Sequence, residues 1–372
     1  MSRPALLFYC QHSVGLGHLM RSYALCTALR ERFRVVLLCG GALPDGIRPP
    51  AGVHVVALPP LGVGADGAFA SRDPSYTLEQ AWTARCERIL ATFRAVRPAA
   101  VVVELFPFGR ARFARELVPL LEAARAAGAL TACSLRDILV SRRDDQRRHD
   151  ERAVALANEH LDAILVHSDP GFARLEDTFG PVECLRIPVH YTGFVVRDGG
   201  VAAPGEHVVV SAGGGLVGEP LLSAAVRAQP LTGMPMRVIA GPMLPDDAYE
   251  RLRAQAGAGV ELRRTVPDLG AELGLARASV SQAGYNTALE VLQAGVPALL
   301  VPYETPSEDE QTRRARRLEA RGAVRVLDGS ELHRLAGAIR ALAGFSPAPA
   351  AIDLGGARAT GEQLDALLRV AA

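Results

Sequence analysis

Two glycine-rich turns, each passing from a strand-like run into a helix, carry the residue types best suited to chemistry. The first is Gln11-His12-Ser13-Val14-Gly15-Leu16-Gly17-His18, after the apolar run Ala5–Cys10. Glycine lets the backbone come close to an anion at a helix N-terminus, so Gly15 and Gly17 read as ligand-facing positions. His18 opens the following helix. A helix N-terminus disfavours imidazolium, which keeps the ring neutral at pH 7 and able to accept a proton. A polar cap or a hydrogen-bond donor to a diphosphate is the plainer role, and both stay open. The second turn, Ser211-Ala212-Gly213-Gly214-Gly215, again follows an apolar strand and again suggests close approach to phosphates.

The densest stretch is Ser281-Gln282-Ala283-Gly284-Tyr285-Asn286-Thr287-Ala288-Leu289-Glu290. Gly284 allows the turn. Asn286 and Thr287 fall in a first helical turn, where side chains and free N–H groups can hold phosphate oxygens. Glu290 lies four residues after Asn286 on the same face, one turn below such a phosphate, where a carboxylate can take two vicinal ribose hydroxyls. Glu310 and Gln311 begin a later helix, within reach of sugar hydroxyls. On the other half of the chain, Glu104-Leu105-Phe106-Pro107-Phe108-Gly109-Arg110 and Arg136-Asp137 each follow a buried strand, where ligands bind in open α/β sheets. Glu104 or Asp137 is then a general base or the group that orients His18; a helix cap or an ion pair is the alternative for each. Core packing suits Phe106 and Phe108 better than contact with an acceptor.

These residues need elements to place them. Continuous apolar runs at Ala5–Cys10, Val35–Gly40, His54–Leu58, Ala99–Leu105, Leu130–Leu135 and Ala163–His167 read as strands buried on both faces. Helical patterns lie between them at His18–Arg32, Leu78–Arg94, Arg110–Ala127 and Asp145–Glu159. A second set of strands starts at His207, Arg237, Val260, Ala278, Ala298 and Val324, with helices between. Such alternation means doubly wound α/β. The Gly/Pro/Ala-rich segment Arg197–Gly205 is a linker, which gives domains over 1–198 and 206–345. A tail over 346–372 ends in a helix near Gly361–Val370.

Composition narrows the function. The chain has 372 residues and a formal net charge of +1, too little for a polyanion-binding surface. Its 41 basic residues are all arginine, which removes Schiff-base and phosphate-loop lysine chemistry. The first glycine turn lacks the third glycine of G-x-G-x-x-G, and the second strand ends Cys39-Gly40-Gly41 with no ribose-binding acid; a nicotinamide cofactor is excluded. The six cysteines form no C-x-x-C and read as reduced thiols in a cytoplasmic protein. No run approaches the ~20 apolar residues of a membrane span, so attachment to a membrane would be peripheral.

The stretch from Ser281 to Gln311 resembles the donor-binding signature of GT-B glycosyltransferases, in particular the MurG-like family 28, and Gly15-Leu16-Gly17-His18 resembles that family's first glycine loop. The resemblance implies GT-B architecture, two Rossmann-like domains facing across a cleft, with acceptor on the first, donor on the second, and the tail helix returning to the first. It implies that Ser211, Gly213, Gly214, Asn286 and Thr287 contact the donor diphosphate, that Glu290 holds the ribose, and that Val266, at the end of its strand, holds the base edge. Glu310 and Gln311 would contact the donor sugar, and His18 would face the acceptor or act as base. Gln282 stands where plant-type relatives carry histidine, and it leaves the E-x7-E pattern of retaining enzymes incomplete, which favours inversion. No D-x-D pair is present for a metal-held diphosphate, so no metal and no cofactor are expected, with an NDP-sugar, UDP-linked, as substrate. The acceptor is a small molecule or a lipid-linked one, with no nucleic-acid partner. A similar UDP-sugar hydrolase that uses water as acceptor shares the pattern Gly15-Leu16-Gly17-His18-Leu19-Met20-Arg21 and is the competing reading. A non-catalytic nucleotide-sugar-binding protein would have no use for His18.

Overall fold

Strand β1 (Ala5–Cys10) is buried at every position, with successive side chains entering opposite layers. Leu7 and Tyr9 join one core cluster with Val36, Leu38, Val101 and Val103; Leu6, Phe8 and Cys10 join another with Val35, Leu37 and Val102. A strand covered on both faces has no polar side, which is why the sequence reads as an unbroken apolar run. In the computed structural model, which describes residues 3–12, 16–43, 47–63, 68–140, 144–197, 205–306 and 308–371, the chain forms two units: Met1–Val195 with Ile352–Ala372, and Val196–Ala351.

In the first unit β1 is followed by α1 (Gly17–Leu29), β2 (Arg34–Cys39), β3 (His54–Ala57), β4 (Leu61–Val63), β5 (Phe69–Ser71), α2 (Leu78–Val96) and β6 (Ala100–Glu104). Then come α3 (Ala114–Ala126), β7 (Leu130–Arg136), α4 (Gln146–His160), β8 (Ala163–His167) and β9 (Val189–Tyr191). The parallel sheet runs β3-β2-β1-β6-β7-β8-β9. Chain order reverses between β1 and β6, so the loops leaving these two neighbours diverge and leave a crevice at their C-terminal ends.

The second unit contains β10 (Val208–Ser211), α5 (Glu219–Thr232), β11 (Met236–Ile239), α6 (Asp246–Gln255), β12 (Val260–Arg263), α7 (Leu269–Gly274) and β13 (Ala278–Ser281). It continues through α8 (Tyr285–Ala294), β14 (Ala298–Leu300), α9 (Glu310–Ala320), β15 (Arg325–Val326) and α10 (Leu335–Ala341). Its parallel order is β12-β11-β10-β13-β14-β15, with the reversal between β10 and β13. The last helix, α11 (Gly356–Ala371), packs on α1, and Leu364 is buried among Leu25 and Leu29.

Several expectations change. Residues 110–127 are not one helix. Arg110 has a left-handed backbone, a 3-10 turn covers Ala111–Phe113, and α3 starts at Ala114. Strands β4 and β5 form a small antiparallel pair and β9 extends the sheet edge; at three residues each, they are too short for a periodic signal. Short α7 begins at Asp268, whose carboxylate accepts from Ala271 N–H at 3.2 Å. β12 ends at Arg263, so Val266 lies three residues beyond its strand and not at the strand's end. The last helix starts at Gly356 rather than Gly361, and the tail joins the first unit from Ile352. Gly15 and residues 198–204 of the linker lie outside the described residues.

Candidate active site

At the first unit's switch point, the helix after β1 and the end of β6 bring together two side chains that are 86 residues apart. His18 is the second residue of α1, and Glu104 is the last residue of β6. His18 Nδ1 lies 2.6 Å from Glu104 Oε1. Arg21, one turn further along α1, donates to the same oxygen. Glu104 is wholly buried; burial raises its carboxyl, but His18 and the Arg21 and Arg110 guanidiniums together hold it far below the usual range. It is therefore ionised, so His18 carries its proton on Nδ1, donates it to Glu104, and presents a lone pair at Nε2. Burial pushes the His18 imidazole down to about 4; Glu104 pulls it up, while Arg110 and Arg21 push it further down. The ring is neutral across the physiological range and retains a basic nitrogen. This is the geometry of an oriented general base.

Of the two acids the sequence offered, Glu104 meets His18. Asp137, just after β7, is buried, and no hydrogen bond or ion pair joins it to His18 among the described residues. His12 donates from Nε2 to Ala42 O at 2.9 Å, a structural contact. Gly40 and Gly41 pass so close beneath this loop that a Cβ would stand 2.0 Å from Gln11 Oε1 or 2.1 Å from His12 O; only glycine fits. Phe106 and Phe108 are core residues.

The second unit repeats the device. At the switch between β10 and β13, Gly213 N–H donates to Ser211 Oγ at 3.2 Å, and Gly213 (φ 60) and Gly215 (φ 91) turn the chain back. Gly241 backs this loop so closely that a Cβ would meet Gly214 C at 2.5 Å. The buried Gln282 side chain donates to Val217 O at 3.2 Å and holds the loop from the β13 side. Gly284 precedes α8 with no side-chain cap, and Thr287 Oγ1, in the first turn of that helix, lies beside the Gly213 turn. Two sets of backbone N–H groups thus border one crevice, an arrangement that suits a diphosphate.

Glu290 stands one turn below, buried, and accepts from Arg197 Nη2 at 3.0 Å. Burial raises its pKa, and Arg197 works against that rise. Glu310 and Gln311 start α9, and Gln311 Oε1 accepts from Tyr303 N–H at 3.1 Å. Arg314, fully buried on α9, donates to Ala283 O at 2.9 Å and fixes the turn before α8. Sequence reasoning assigned no role to Arg197 or Arg314. Arg197's only signal is its place at the start of the glycine-rich linker; Arg314 sits in a run of arginines that reads as a solvated face. Arg21 was visible only as part of His18-Leu19-Met20-Arg21.

Residues 249–354 match the glycosyltransferase family 28 C-terminal domain. The chain is 28% identical over 333 residues, 85% of its own length and 83% of the relative's, to UDP-N-acetylglucosamine--N-acetylmuramyl-(pentapeptide) pyrophosphoryl-undecaprenol N-acetylglucosamine transferase of Bordetella petrii. Among solved structures, MurG of Acinetobacter baumannii superposes with a TM-score of 0.61 at 16% identity, covering 98% of this chain and all of that one. The calicheamicin glycosyltransferase CalG4 superposes with a TM-score of 0.61 at 18% identity, covering 100% and 95%. The chain thus has the GT-B fold, carries a match to the family 28 C-terminal domain over residues 249–354, and is similar to MurG-type transferases over most of its length.

Proposed function

We propose that this protein is an inverting, metal-independent transferase that moves a sugar, N-acetylglucosamine first among candidates, from its UDP-linked donor to a hydroxyl or amine of a lipid-linked acceptor. The observation that carries this reading is the His18–Glu104 pair at the first unit's switch point, a neutral base with its tautomer set by a buried carboxylate. Donor and acceptor class follow the relatives, whose name specifies a UDP-N-acetylglucosamine donor and a pyrophosphoryl-undecaprenol acceptor. No described helix is long and apolar enough to cross a membrane; the pyrophosphoryl-undecaprenol acceptor named for the relatives supports a peripheral place at the cytoplasmic side of a membrane.

In this mechanism His18 Nε2 takes the proton from the acceptor group as its oxygen or nitrogen attacks the anomeric carbon. The bond from that carbon to the diphosphate oxygen breaks, and the electron pair leaves with UDP. Charge growing on the diphosphate meets the N–H groups of the Gly213–Gly215 loop and the α8 N-terminus, which need no metal to act. Glu104 stabilises the imidazolium that forms. A single displacement of this kind inverts the anomeric centre.

The test is transfer from UDP-N-acetylglucosamine to a polyprenyl-diphosphate-linked sugar, with and without EDTA, and assignment of the product anomer. Transfer unaffected by EDTA, with the anomeric configuration inverted, is expected. UDP release that is equally fast without any acceptor assigns water as the acceptor and overturns the transferase reading. Glu290 supplies a second check: Glu290→Gln raises the Kd for UDP by about tenfold or more, since a hydrogen bond to a charged group contributes about 1.5–3 kcal/mol. Titration calorimetry reads this directly, and unchanged affinity removes Glu290 from the ribose site.

A further inference from the structure

On the first unit's sheet, Glu104 shares its face with two polar side chains that the mechanism does not use. Val102, Ala132 and Leu165 enter the layer occupied by α1 and α11. Two residues further along each strand, Glu104, Ser134 and His167 therefore enter it too. Glu104 and Ser134 are register partners on β6 and β7, whose backbones lie about 4.8 Å apart. Leu105 N–H, directly after Glu104, donates to Ser134 O at 2.9 Å. Ser134 Oγ is 2.7 Å from His167 Nε2, and His167 Nδ1 is 2.9 Å from Thr192 Oγ1. Thr192 Oγ1 is 3.2 Å from Thr360 Oγ1 on α11, and Thr360 donates to Gly356 O at 2.6 Å. Ser134, His167, Thr192 and Thr360 are all buried. Asp169, two residues after His167, pins the returning chain at the same place: it accepts from Asp353 N–H at 3.0 Å, and Phe194 N–H donates to Asp353 O at 2.7 Å.

Burial lowers the His167 imidazole to about 3, with Arg21 adding to the fall and Glu104 opposing it, so the ring is neutral. A neutral imidazole has one N–H and one acceptor nitrogen, so it links two hydroxyls in a directed way, donating to one and accepting from the other. Such a satisfied buried network holds one geometry, where an apolar filling would tolerate several. Glu104 needs that constraint. Its Oε1 takes His18 and Arg21, but its Oε2 is buried with no hydrogen-bond partner among the described residues. The placement of the carboxylate therefore depends on the backbone that carries it.

We propose that His167 is a positioning residue for the His18–Glu104 pair, and that through Ser134 and Thr192 it makes the tail helix part of what holds the carboxylate in place. The catalytic use of that pair rests on the transferase reading above; its positioning belongs to the fold and is read without turnover.

The 2.6 Å contact between His18 Nδ1 and Glu104 gives the shared proton a far-downfield NMR resonance, assigned by its loss in His18→Asn. Thr360→Val and Ser134→Ala each remove one hydroxyl and little volume. In both, that resonance moves upfield or broadens, and kcat falls about 3–10-fold, in the range for residues that modulate a site without touching its ligands. The Kd for UDP, read by calorimetry, stays unchanged. Thr360→Ser keeps the hydroxyl and matches the wild type. An unchanged resonance in both deletion variants, or an unchanged kcat in an enzyme that transfers, overturns the proposal. So does the same change in Thr360→Ser, or failure of both deletion variants to fold, since either makes the line a structural support only. If one deletion variant does not fold, the other decides. If no acceptor is turned over, the transferase reading fails, and the resonance still judges the positioning.

Discussion

Replacing His18 by asparagine lowers kcat by about 10²–10⁴, the usual contribution of a positioned general base, and leaves UDP affinity unchanged. Glu104→Gln is expected to fall in the same range, since an amide can no longer fix the Nδ1 proton or stabilise the imidazolium. The pH profile separates the two roles. Burial holds His18 near 4, so the acid limb of kcat/KM in the wild type lies well below the ordinary histidine value of 6.5. The sign follows from which form works. The neutral ring is the base, so activity is lost as pH falls through the folded-state value, and the enzyme keeps full base function at pH 6. An acid limb at 6.5 in the wild type, or a His18→Asn variant of normal kcat, would remove His18 from the chemistry. Arg21→Ala is a poor substitute for these variants, because it leaves Glu104 buried with one fewer partner and perturbs the fold.

The largest effect on stability is expected at Arg85. This fully buried guanidinium donates to Glu116 through Nε at 2.8 Å and Nη2 at 2.6 Å, to Gly40 O at 2.9 Å and Pro59 O at 2.8 Å, and to Gln11 Oε1 at 2.8 Å. Tyr9 donates to Glu116 Oε1 at 2.5 Å. Five segments of the first unit meet on one side chain: β1, the loops after β2 and β3, α2 and α3. Arg85→Met leaves Glu116 buried without its partner, and removing one member of a buried pair costs about 3–5 kcal/mol. Adding Glu116→Leu recovers most of that loss, because two apolar groups of similar volume leave no unpaired charge. Urea unfolding followed by the fluorescence of Trp82, the single tryptophan, reports on this unit, since the ring lies 5.8 Å from the Arg85 guanidinium. A double variant as unstable as the single one would mean that the hydrogen bonds to Gly40, Pro59 and Gln11 dominate, and not the ion pair.

The sequence by itself determined the elements whose signal is local. β1, β6 and β10 are legible because a strand buried on both faces must be apolar at every position. The glycine turn at Gly213–Gly215 is legible because Gly213 and Gly215 take positive φ, a path that side chains disfavour. The face shared by Asn286 and Glu290 is legible because helical spacing is fixed. The turn at Arg110 was misread as helix because nothing in the residues themselves announces a left-handed arginine; the surrounding packing imposes it. The strands of β4, β5 and β9 were missed because three residues carry no period. Only the tertiary structure decided which acid serves His18. Glu104 and Asp137 both follow strands of the same sheet, but Glu104 ends the strand beside β1, and the switch in strand order puts it against the first turn of α1. The same holds for Arg197 against Glu290, 93 residues apart, and for Arg85 against Glu116. Pairing across such distances depends on strand order and helix placement, which are properties of the whole fold and leave no mark in the spacing of neighbouring residues.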